Sequence, residues 1–257
     1  INSYIKPLIS IYLENLKKSL ISKGFKCSFL LMTSGGSLTN VQNASDYPIR
    51  LVESGPAGGV ILATSIAREL DLKQVISFDM GGTTAKITLI ENMSPNKARE
   101  FEVDRKSRFQ KGSGLPIRIP VIEMVEIGAG GGSIARVNKL DQITIGPDSA
   151  GADPGPACYG LGGQEPTITD ADLIMGKINP DNFASGKIKL FPNKSESVIR
   201  KKISKPLRLD LKMSALGITE MVDETMANAA RVHAVEQGQD TENKTLIAFG
   251  GAAPLHV

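Results

Sequence analysis

The feature that most constrains this chain is a glycine turn between two β-rich runs, with an aspartate at its start. Residues 74–78 form the first run and lead into Asp79, residues 81–84 read Gly-Gly-Thr-Thr, and residues 87–90 form the second run. Strand-forming residues on both sides of paired glycines predict a β-hairpin with a tight turn. The segment is not a Walker loop, which needs Gly-Lys-Ser/Thr. It is not a dinucleotide fingerprint either, because that motif opens a helix.

This turn has the composition of an anion site. Gly81 and Gly82 place no side chain in the way of an approaching phosphate. Their N–H groups and the hydroxyls of Thr83 and Thr84 can form an anion-binding concavity. The charge of Asp79 repels phosphate, but its carboxylate suits Mg²⁺, held directly or through water. A plain hairpin turn is the alternative, because Asp-x-Gly-Gly is common in such turns.

Composition excludes several function classes. The 257 residues are 41% hydrophobic and 22% charged, which supports a substantial core in one large domain or two lobes. The net charge of +3 is spread along the chain and Trp is absent, so we expect no nucleic-acid or membrane partner. Cys27 and Cys158 have no metal-binding spacing and fit a reducing cytoplasm. Because the sequence lacks an initial Met and stops soon after an apolar run, we expect a fragment of a longer protein.

Three segments have helical patterns. Residues 3–22 carry an apolar stripe, which consists of Ile5, Leu8, Ile9, Tyr12, Leu16 and Leu20. A second helix is predicted from Ser54, as its cap, to about Leu70, and its small residues allow very close packing. The third helix is predicted over residues 214–237, where His233 lies on the apolar stripe and is therefore expected to face the core.

Strands are predicted at residues 27–32, 98–103 and 116–123, with a hairpin over 133–145. A buried strand at 244–249 runs into Gly250, Gly251 and Ala252. A strand end with two glycines offers a flat backbone surface that suits the face of an adenine or ribose. It equally suits tight strand–helix packing.

Some polar residues have a structural and a functional interpretation. The loop at residues 34–37 follows a strand, where α/β proteins tend to bind ligands, but it is also typical of a plain turn. Either Thr169 or Asp170 is predicted to cap a helix, although Asp170 and Asp172 could instead do acid–base or metal chemistry. Cys158 has no neighbouring histidine to activate it, so we expect a packed structural thiol.

The ordered set of motifs resembles the actin-like ATPase superfamily and, within it, the hydantoinase A/5-oxoprolinase family. The resembling stretches are residues 50–59, 78–86, 125–135, 146–160, 167–172 and 249–256. The resemblance implies an α/β, ribonuclease H-like lobe with a mixed sheet, flanking helices and a β-rich insertion. It also implies that Asp79 to Thr84 form the second phosphate-binding hairpin and that Gly250, Gly251 and Ala252 form the adenosine motif.

The function implied by this resemblance is ATP-dependent ring opening of a cyclic amide such as 5-oxoproline or a hydantoin. ATP with Mg²⁺ would phosphorylate the amide oxygen, which activates the ring for attack by water. Related members are subunits of ATP-dependent ketone carboxylases, so that activity is the alternative. A B-type partner subunit and a homo-oligomer are also implied, whereas no catalytic residue is; the cytoplasmic location rests on the cysteine usage above. A third hypothesis, a non-catalytic binding or assembly module, rests on the lack of a visible nucleophile–base or metal-ligand cluster.

The chain departs from the family pattern in two places. The earlier Asp-x-Gly-Gly-Thr motif of family members is absent, so we expect one wall of an ATP cleft, with weak or no ATP binding by this chain alone. Lys86 stands where part of the family has an acidic residue. The predicted division is the end of the first lobe and a connecting helix at 1–70, then a second lobe at 71–257. That second lobe includes a Gly/Pro-rich insertion at about 105–165.

Overall fold

The computed structural model describes residues 1–103 and 114–257. Its helices are α1 (Asn2–Ser22), α2 (Val41–Asp46), α3 (Ser54–Glu69), α4 (Ile168–Ile174), α5 (Pro192–Ile199), α6 (Lys205–Leu207) and α7 (Leu211–Glu236). Short 3₁₀ turns lie at Pro48–Leu51, Ala157–Tyr159 and Ala253–Leu255, and a π-helical turn at Arg200–Ser204 joins α5 to α6. The first nine residues of the predicted insertion, 105–113, lie outside the described residues.

The longest described strands are the two of the central hairpin and the strand Ile143–Ser149, with seven residues each. In chain order they are β1 (Leu30–Met32), β2 (Leu38–Asn40), β3 (Gln74–Met80), β4 (Ala85–Glu91), β5 (Ser94–Pro95), β6 (Lys97–Ala98), β7 (Phe101–Val103), β8 (Leu115–Ile117), β9 (Val121–Ile122), β10 (Val125–Ile127), β11 (Ser133–Val137), β12 (Ile143–Ser149) and β13 (Thr245–Phe249). The main sheet has the order β10-β4-β3-β13, and β5 also pairs with β4. The hairpin predicted around Asp79 is therefore confirmed as β3 and β4.

The chain divides into two compact units, and the division crosses the central hairpin. The first unit comprises Ile1–Ser77 and Thr88–Met124, and the second comprises Phe78–Ile87 and Val125–Val257. The predicted lobe boundaries at residues 70 and 71 stay a prediction.

In the first unit, α3 packs against β1, β5 and β9. Its alanines 57, 63 and 67 are fully buried, which explains why the sequence uses small residues there. The helix begins at Ser54 as predicted, but Ser54 is not its cap. Glu53 holds that position in the left-handed conformation (φ 57°) and makes no side-chain cap hydrogen bond. The backbone bend, rather than a hydroxyl, starts this helix.

The predicted apolar stripe of α1 is partly wrong. Leu13, which is outside that stripe, is the buried residue of the helix, whereas Leu8 and Tyr12 are 73% and 59% exposed. The helix packs against α2 and the turn at Pro48–Leu51, and this packing selects the face that contains Leu13. Sequence periodicity predicted the helix correctly, and Ile9, Leu16 and Leu20 of the stripe are half-buried, but it missed Leu13.

The turn at residues 34–37 is structural. It joins β1 to β2, and the Ser34 hydroxyl is buried and donates to the Arg50 carbonyl at 2.8 Å. The preceding strand is shorter than predicted and is not buried, because Leu30 is exposed and Cys27 lies outside the strand in an exposed position. These observations favour the plain-turn interpretation of the loop.

In the second unit, α7 packs against α4, β10 and β12. Its buried face includes Ile218, Val222, Met226 and His233, as the periodicity predicts. The hairpin of β11 and β12 is also confirmed. The helix α5 begins at Pro192 and buries Ser195 and Ile199, so it belongs partly to the core.

The strand β13 differs from its prediction. It spans the expected residues, but Leu246 is 46% exposed and the rest of the strand is at most half-buried. The cause is its position, because β13 is the last strand in the order of the described sheet. An apolar run therefore identified the strand but not its burial. Among the described residues, no helix is long and apolar enough to cross a membrane.

Candidate functional site

The site is organised around the end of β3. Asp79 is the penultimate residue of that strand and is half-buried, and the turn that follows is closed by the Gly81 N–H, which donates to the Thr84 carbonyl at 3.1 Å. Burial raises the pKa of the Asp79 carboxyl, whereas the positive charge of Lys86 acts in the opposite direction. Gly82 and Thr83 are exposed at the tip of the turn. The Gly81 N–H is thus already used within the turn, and Gly82 and Thr83 are its exposed residues.

Lys86 places a cation beside this turn. Its Nζ donates to the Thr84 hydroxyl at 3.0 Å and pairs with a carboxylate oxygen of Glu126, also at 3.0 Å. The lysine side chain is only 14% exposed. This position on β4 is where the sequence departs from the acidic residue seen in part of the family. The structure shows that the ammonium group contacts the turn itself.

A glycine-rich segment clasps the turn from the other side. The Gly131 N–H donates to the Gly81 carbonyl at 3.0 Å, and the Gly132 N–H donates to the Gly82 carbonyl at 2.7 Å. A Cβ atom added at Gly130 would lie 2.5 Å from the Thr83 nitrogen, so no larger residue fits there. Sequence patterns assign residues 126–133 no role, and the structure shows that Gly131 and Gly132 of this segment bond to the carbonyl groups of the turn.

The glycines of the turn have no such packing reason. Within the described residues, no atom lies within 4 Å of a Cβ built at Gly81 or Gly82, and neither has a positive φ. Neighbouring protein atoms therefore do not require glycine at these two positions. The open space that they leave next to Asp79 is the space that a phosphate would need.

The predicted adenosine segment reaches the same place. The Ala252 N–H donates to the Met80 carbonyl at 3.0 Å. Gly250 adopts a positive φ of 97°, and a Cβ there would lie 2.7 Å from an oxygen of Asp79. Gly251, by contrast, has open space around its Cβ position and a negative or extended φ. The structure thus brings the eight predicted residues together around the end of β3, although their binding roles stay predictions.

The helix at residues 167–172 is capped by a different residue than predicted. Thr167 is the N-cap of α4 and forms a reciprocal capping box with Asp170. Asp170 is fully buried and accepts hydrogen bonds from the N–H groups of Ala157, Cys158 and Thr167 and from the hydroxyls of Thr167 and Ser195. Its carboxylate is saturated by these donors, so Asp170 has a structural role.

Cys158 is confirmed as a packed thiol. It is fully buried against Leu173 and Leu190. Burial, together with the nearby Asp170 carboxylate, raises the pKa of the Cys158 thiol far above its ordinary value. The thiol therefore stays protonated at physiological pH, and it is not a nucleophile.

Sequence reasoning missed one buried charge cluster. The His256 side chain is fully buried, and its two ring nitrogens lie 2.7 Å from an oxygen of Asp223 and 3.2 Å from an oxygen of Asp172. These partners are 33 and 84 residues away along the chain. No local pattern could have indicated the cluster, because the three residues meet only when α4, α7 and the C-terminal segment pack together.

Comparisons with known proteins decide the family. A sequence profile described as hydantoinase/oxoprolinase matches residues 1–257, the whole chain. The chain belongs to the hydantoinase/oxoprolinase family. An uncharacterized protein of Methanocaldococcus jannaschii is 44% identical over 100% of this chain and 38% of its own length. The caprolactamase subunit alpha of Pseudomonas jessenii is 33% identical over 100% of this chain and 36% of its own length.

A solved structure agrees with this assignment. The nucleotide-free structure of an ATP-dependent acetone carboxylase matches 95% of this chain and 33% of its own chain, with a TM-score of 0.84 and 28% identity. The predicted α/β fold class of this hydantoinase/oxoprolinase chain, with its mixed sheet, is confirmed. The chain spans about a third of the length of the relatives that it matches.

The residues of the site fit a nucleotide with Mg²⁺. The open positions at Gly81, Gly82 and Gly251 leave room for a ligand beside a carboxylate. In the part of the chain that the structure describes, no three His, Cys, Asp or Glu side chains converge on one point. A magnesium ion would therefore take one carboxylate, Asp79, and its other ligands from phosphate and water, as is usual for magnesium in nucleotide sites.

Proposed function

We propose that this hydantoinase/oxoprolinase chain is part of an enzyme that uses ATP to open a cyclic amide ring. The single observation that carries the proposal is the open glycine turn at Gly81 and Gly82 beside the half-buried Asp79, closed on its other side by Gly250. Glycines that no protein contact requires, next to a carboxylate, are what a phosphate-and-magnesium site needs.

The residues around the end of β3 have separate roles in this proposal. Asp79 holds Mg²⁺, directly or through water. The N–H groups of Gly82 and Thr83, with the threonine hydroxyls, bind phosphate oxygens. The backbone of Gly250 to Ala252 faces the adenosine. Thr84 and Glu126 hold the Lys86 ammonium group beside the turn. From this position its positive charge offsets part of the negative charge of a phosphate.

When bound, ATP would supply a phosphoryl group to the amide oxygen, which makes the amide carbon a better electrophile for water, and the ring opens when the C–N bond breaks. The chain's contribution is to position that phosphoryl group and to neutralise its charge, which is the main way in which proteins catalyse phosphoryl transfer. No side chain of the described residues is assigned as the base for water. The catalytic residues of ring opening stay unassigned.

The substrate class is inferred from the relatives. The caprolactamase is named for a cyclic amide and is described as ATP-dependent. Proteins named as subunits recur among the relatives, so we propose that the whole protein works with a second, B-type subunit and forms an oligomer in the cytoplasm. 5-Oxoproline, hydantoins and caprolactam are the cyclic amides to test first.

The test is turnover by the full-length protein with its partner subunit. We expect ATP hydrolysis that depends on one of these cyclic amides, and we expect Asp79→Asn to reduce it roughly 10- to 100-fold, the usual loss when a metal's supporting ligand is removed. Asp240→Asn, a change at an exposed aspartate outside the site, is the matched control and should keep wild-type turnover. Unchanged turnover in Asp79→Asn would rule out the proposed role of the turn.

A ketone carboxylase is the second candidate. It is favoured by the TM-score of 0.84 to an ATP-dependent acetone carboxylase, and a relative named acetophenone carboxylase gamma subunit is 36% identical over 93% of this chain. Bicarbonate discriminates between the two activities. ATP hydrolysis that needs bicarbonate and a ketone would replace the amide proposal, whereas hydrolysis with a cyclic amide alone would support it.

A further inference from the structure

The inference starts from His256, the buried histidine between two aspartates. Its Nδ1 lies 2.7 Å from Asp223 Oδ1, on α7, and its Nε2 lies 3.2 Å from Asp172 Oδ2, on α4. Both ring nitrogens face carboxylate oxygens, which only accept hydrogen bonds, so the ring must carry a proton on each nitrogen to satisfy both. The geometry is therefore that of an imidazolium cation bound by two anions.

The His256 ring lies close to the charged side chains of Asp172, Asp223 and Lys177. Asp172 and Asp223 face it directly, and Lys177 approaches the other oxygen of Asp172, with 3.8 Å between Nζ and Oδ1. That oxygen is buried and accepts no hydrogen bond from the described residues. The Lys177 ammonium instead donates to the Leu255 carbonyl at 2.9 Å, one residue before His256. The segment Leu255–His256 is thus held at two points, by Lys177 at the Leu255 carbonyl and by the two aspartates at the His256 ring.

This segment is rigidly joined to the candidate adenosine loop. The Leu255 N–H donates to the Ala252 carbonyl and the His256 N–H donates to the Ala253 carbonyl, both at 3.0 Å. Ala252 in turn donates to the Met80 carbonyl. One 3₁₀ turn therefore connects the histidine to the backbone beside Asp79.

The helix α4 connects the histidine to the phosphate side as well. Thr169 donates to the Gly131 carbonyl through both its N–H and its hydroxyl, each at 2.8 Å. The N–H of the same Gly131 holds the Gly81 carbonyl of the turn. Thr169 and Asp172 are three residues apart on α4 and therefore lie on the same side of the helix. One helical turn thus contacts both Gly131, which holds the glycine turn, and His256, which is joined to the loop at Gly250–Ala252.

We propose that His256 is a positioning residue for the nucleotide site. Bound as a cation between Asp172 and Asp223, it holds the Gly250–Ala252 loop at a fixed distance from the glycine turn, through α4. Its effect on ATP rests on the proposed function above. Its effect on the loop itself does not, because the hydrogen bonds that define the loop join protein atoms only.

The protonation state follows from the same contacts. Burial alone would lower the pKa of His256, but the hydrogen bonds that its ring donates to Asp172 and Asp223, together with their negative charges, raise it to about 9. Since this pKa is raised above its ordinary value, the stabilisation is complete below about pH 6.5 and is lost as the pH rises through about 9. Loop fixation should therefore persist at neutral pH and fail in alkali.

The experiment measures hydrogen exchange at the Ala252 amide of the full-length protein, as a protection factor that corrects for intrinsic pH effects. The variants are His256→Gln, which has nearly the same reach but no charge, and Asp223→Asn, which removes one anion. Glu220→Gln is the matched control, because Glu220 is exposed one turn earlier on α7. The Michaelis constant for ATP is measured in parallel.

We expect His256→Gln to lower the Ala252 protection factor at least about 10-fold, through local rather than global opening. The KM for ATP should rise at least about 10-fold with kcat within roughly twofold, the signature of lost ground-state positioning. In Asp223→Asn, the pH at which protection falls should move below the wild-type value. Glu220→Gln should match the wild type in all three measurements.

Wild-type protection of Ala252 in His256→Gln would overturn the proposal. If that variant fails to fold, an Asp223→Asn pH profile identical to the wild type would overturn it instead. The two proposals fail differently. A wild-type protein without ATP binding would contradict the proposed function, whereas the hydrogen-exchange result would still decide the role of His256.

Discussion

The glycines near Asp79 are of two kinds: packing requires glycine at some positions and does not require it at others. Gly130 lies against the backbone of the turn, where a Cβ would be 2.5 Å from the Thr83 nitrogen. Gly82 has no described atom within 4 Å of its Cβ position. The first glycine is needed to fold the site. The second is not needed by the fold, so the reason for it must be sought in a ligand.

The pair Gly82→Ala and Gly130→Ala tests this distinction. Gly82→Ala should leave the free energy of unfolding unchanged or raise it by a few tenths of a kcal/mol, because alanine restricts the unfolded chain. Its affinity for Mg-ATP should fall, since the methyl group enters the phosphate space. Gly130→Ala should cost about 1–3 kcal/mol of stability from overpacking. Urea denaturation and calorimetry with Mg-ATP measure both quantities.

A different pattern would change the interpretation. If Gly82→Ala binds Mg-ATP as tightly as the wild type, the open space at the turn is not the phosphate site. If Gly130→Ala is as stable as the wild type, the backbone around Gly130 can shift to accommodate a methyl group, and glycine is not required there.

At the scale of elements, α4 joins several parts of the second unit, because it contacts α5, α7 and β11. Asp170, in the first turn of α4, completes the capping box and accepts hydrogen bonds from the N–H groups of Ala157 and Cys158. The same carboxylate reaches α5 through the Ser195 hydroxyl at 2.6 Å. A seven-residue helix is too short to be stable alone. These contacts, rather than intrinsic helix propensity, keep α4 in place.

Asp170→Asn should therefore destabilise the protein by at least about 2 kcal/mol, because an amide NH₂ would face N–H donors that lose a charged acceptor. Asp181→Asn, at an exposed position nearby in sequence, is the matched control and should change stability by less than about 0.5 kcal/mol. Urea denaturation of the intact protein measures the difference. Equal stabilities of the two variants would show that the hydrogen bonds to Asp170 contribute nothing net.

At the scale of the whole molecule, the residues predicted to bind ATP lie in one compact unit. This unit comprises Phe78–Ile87 and Val125–Val257, and it contains Asp79, the glycine turn and Gly250 to Ala252. The relatives are about three times as long as this chain. We therefore propose that nucleotide binding needs more than this chain and expect residues 1–257 alone to bind weakly.

Mg-ATP should raise the melting temperature of the intact protein. A ligand that binds only the folded state at 100 times its Kd contributes about 2.7 kcal/mol. The shift should be much smaller in Asp79→Asn, and Mg²⁺ alone should produce little of it. Differential scanning calorimetry gives the comparison directly. A wild-type protein that is not stabilised by Mg-ATP would instead indicate the third hypothesis, a non-catalytic assembly module.

Much of the fold and the neighbourhood of the site could be predicted because their signals are local. The hairpin around Asp79, the helices α1, α3 and α7 and the β11–β12 hairpin are each read from residues adjacent in the chain. The order of glycine motifs was also enough to predict the family, which the whole-chain profile match confirms. Periodicity and turn chemistry act over a few residues, so sequence reasoning reaches them.

What depended on distant partners was not predictable in the same way. Local pattern did not show that Leu13 rather than Leu8 would be buried on α1, or that β13 would be half-exposed. The capping residue of α4 was misplaced by two or more positions, because Thr169 instead bonds to Gly131. Each outcome depends on which surface another element covers, and that information is spread along the chain.

Residue pattern alone is enough to predict a glycine turn after an aspartate, between two strands, in a chain of the hydantoinase/oxoprolinase family. Folding in three dimensions brings Gly250 against Asp79 and packs Gly130 to Gly132 on the turn. It also decided that His256 lies between Asp172 and Asp223. The physical reason is that hydrogen bonds and buried charges depend on distance in space, which is set by packing, and not on separation along the chain.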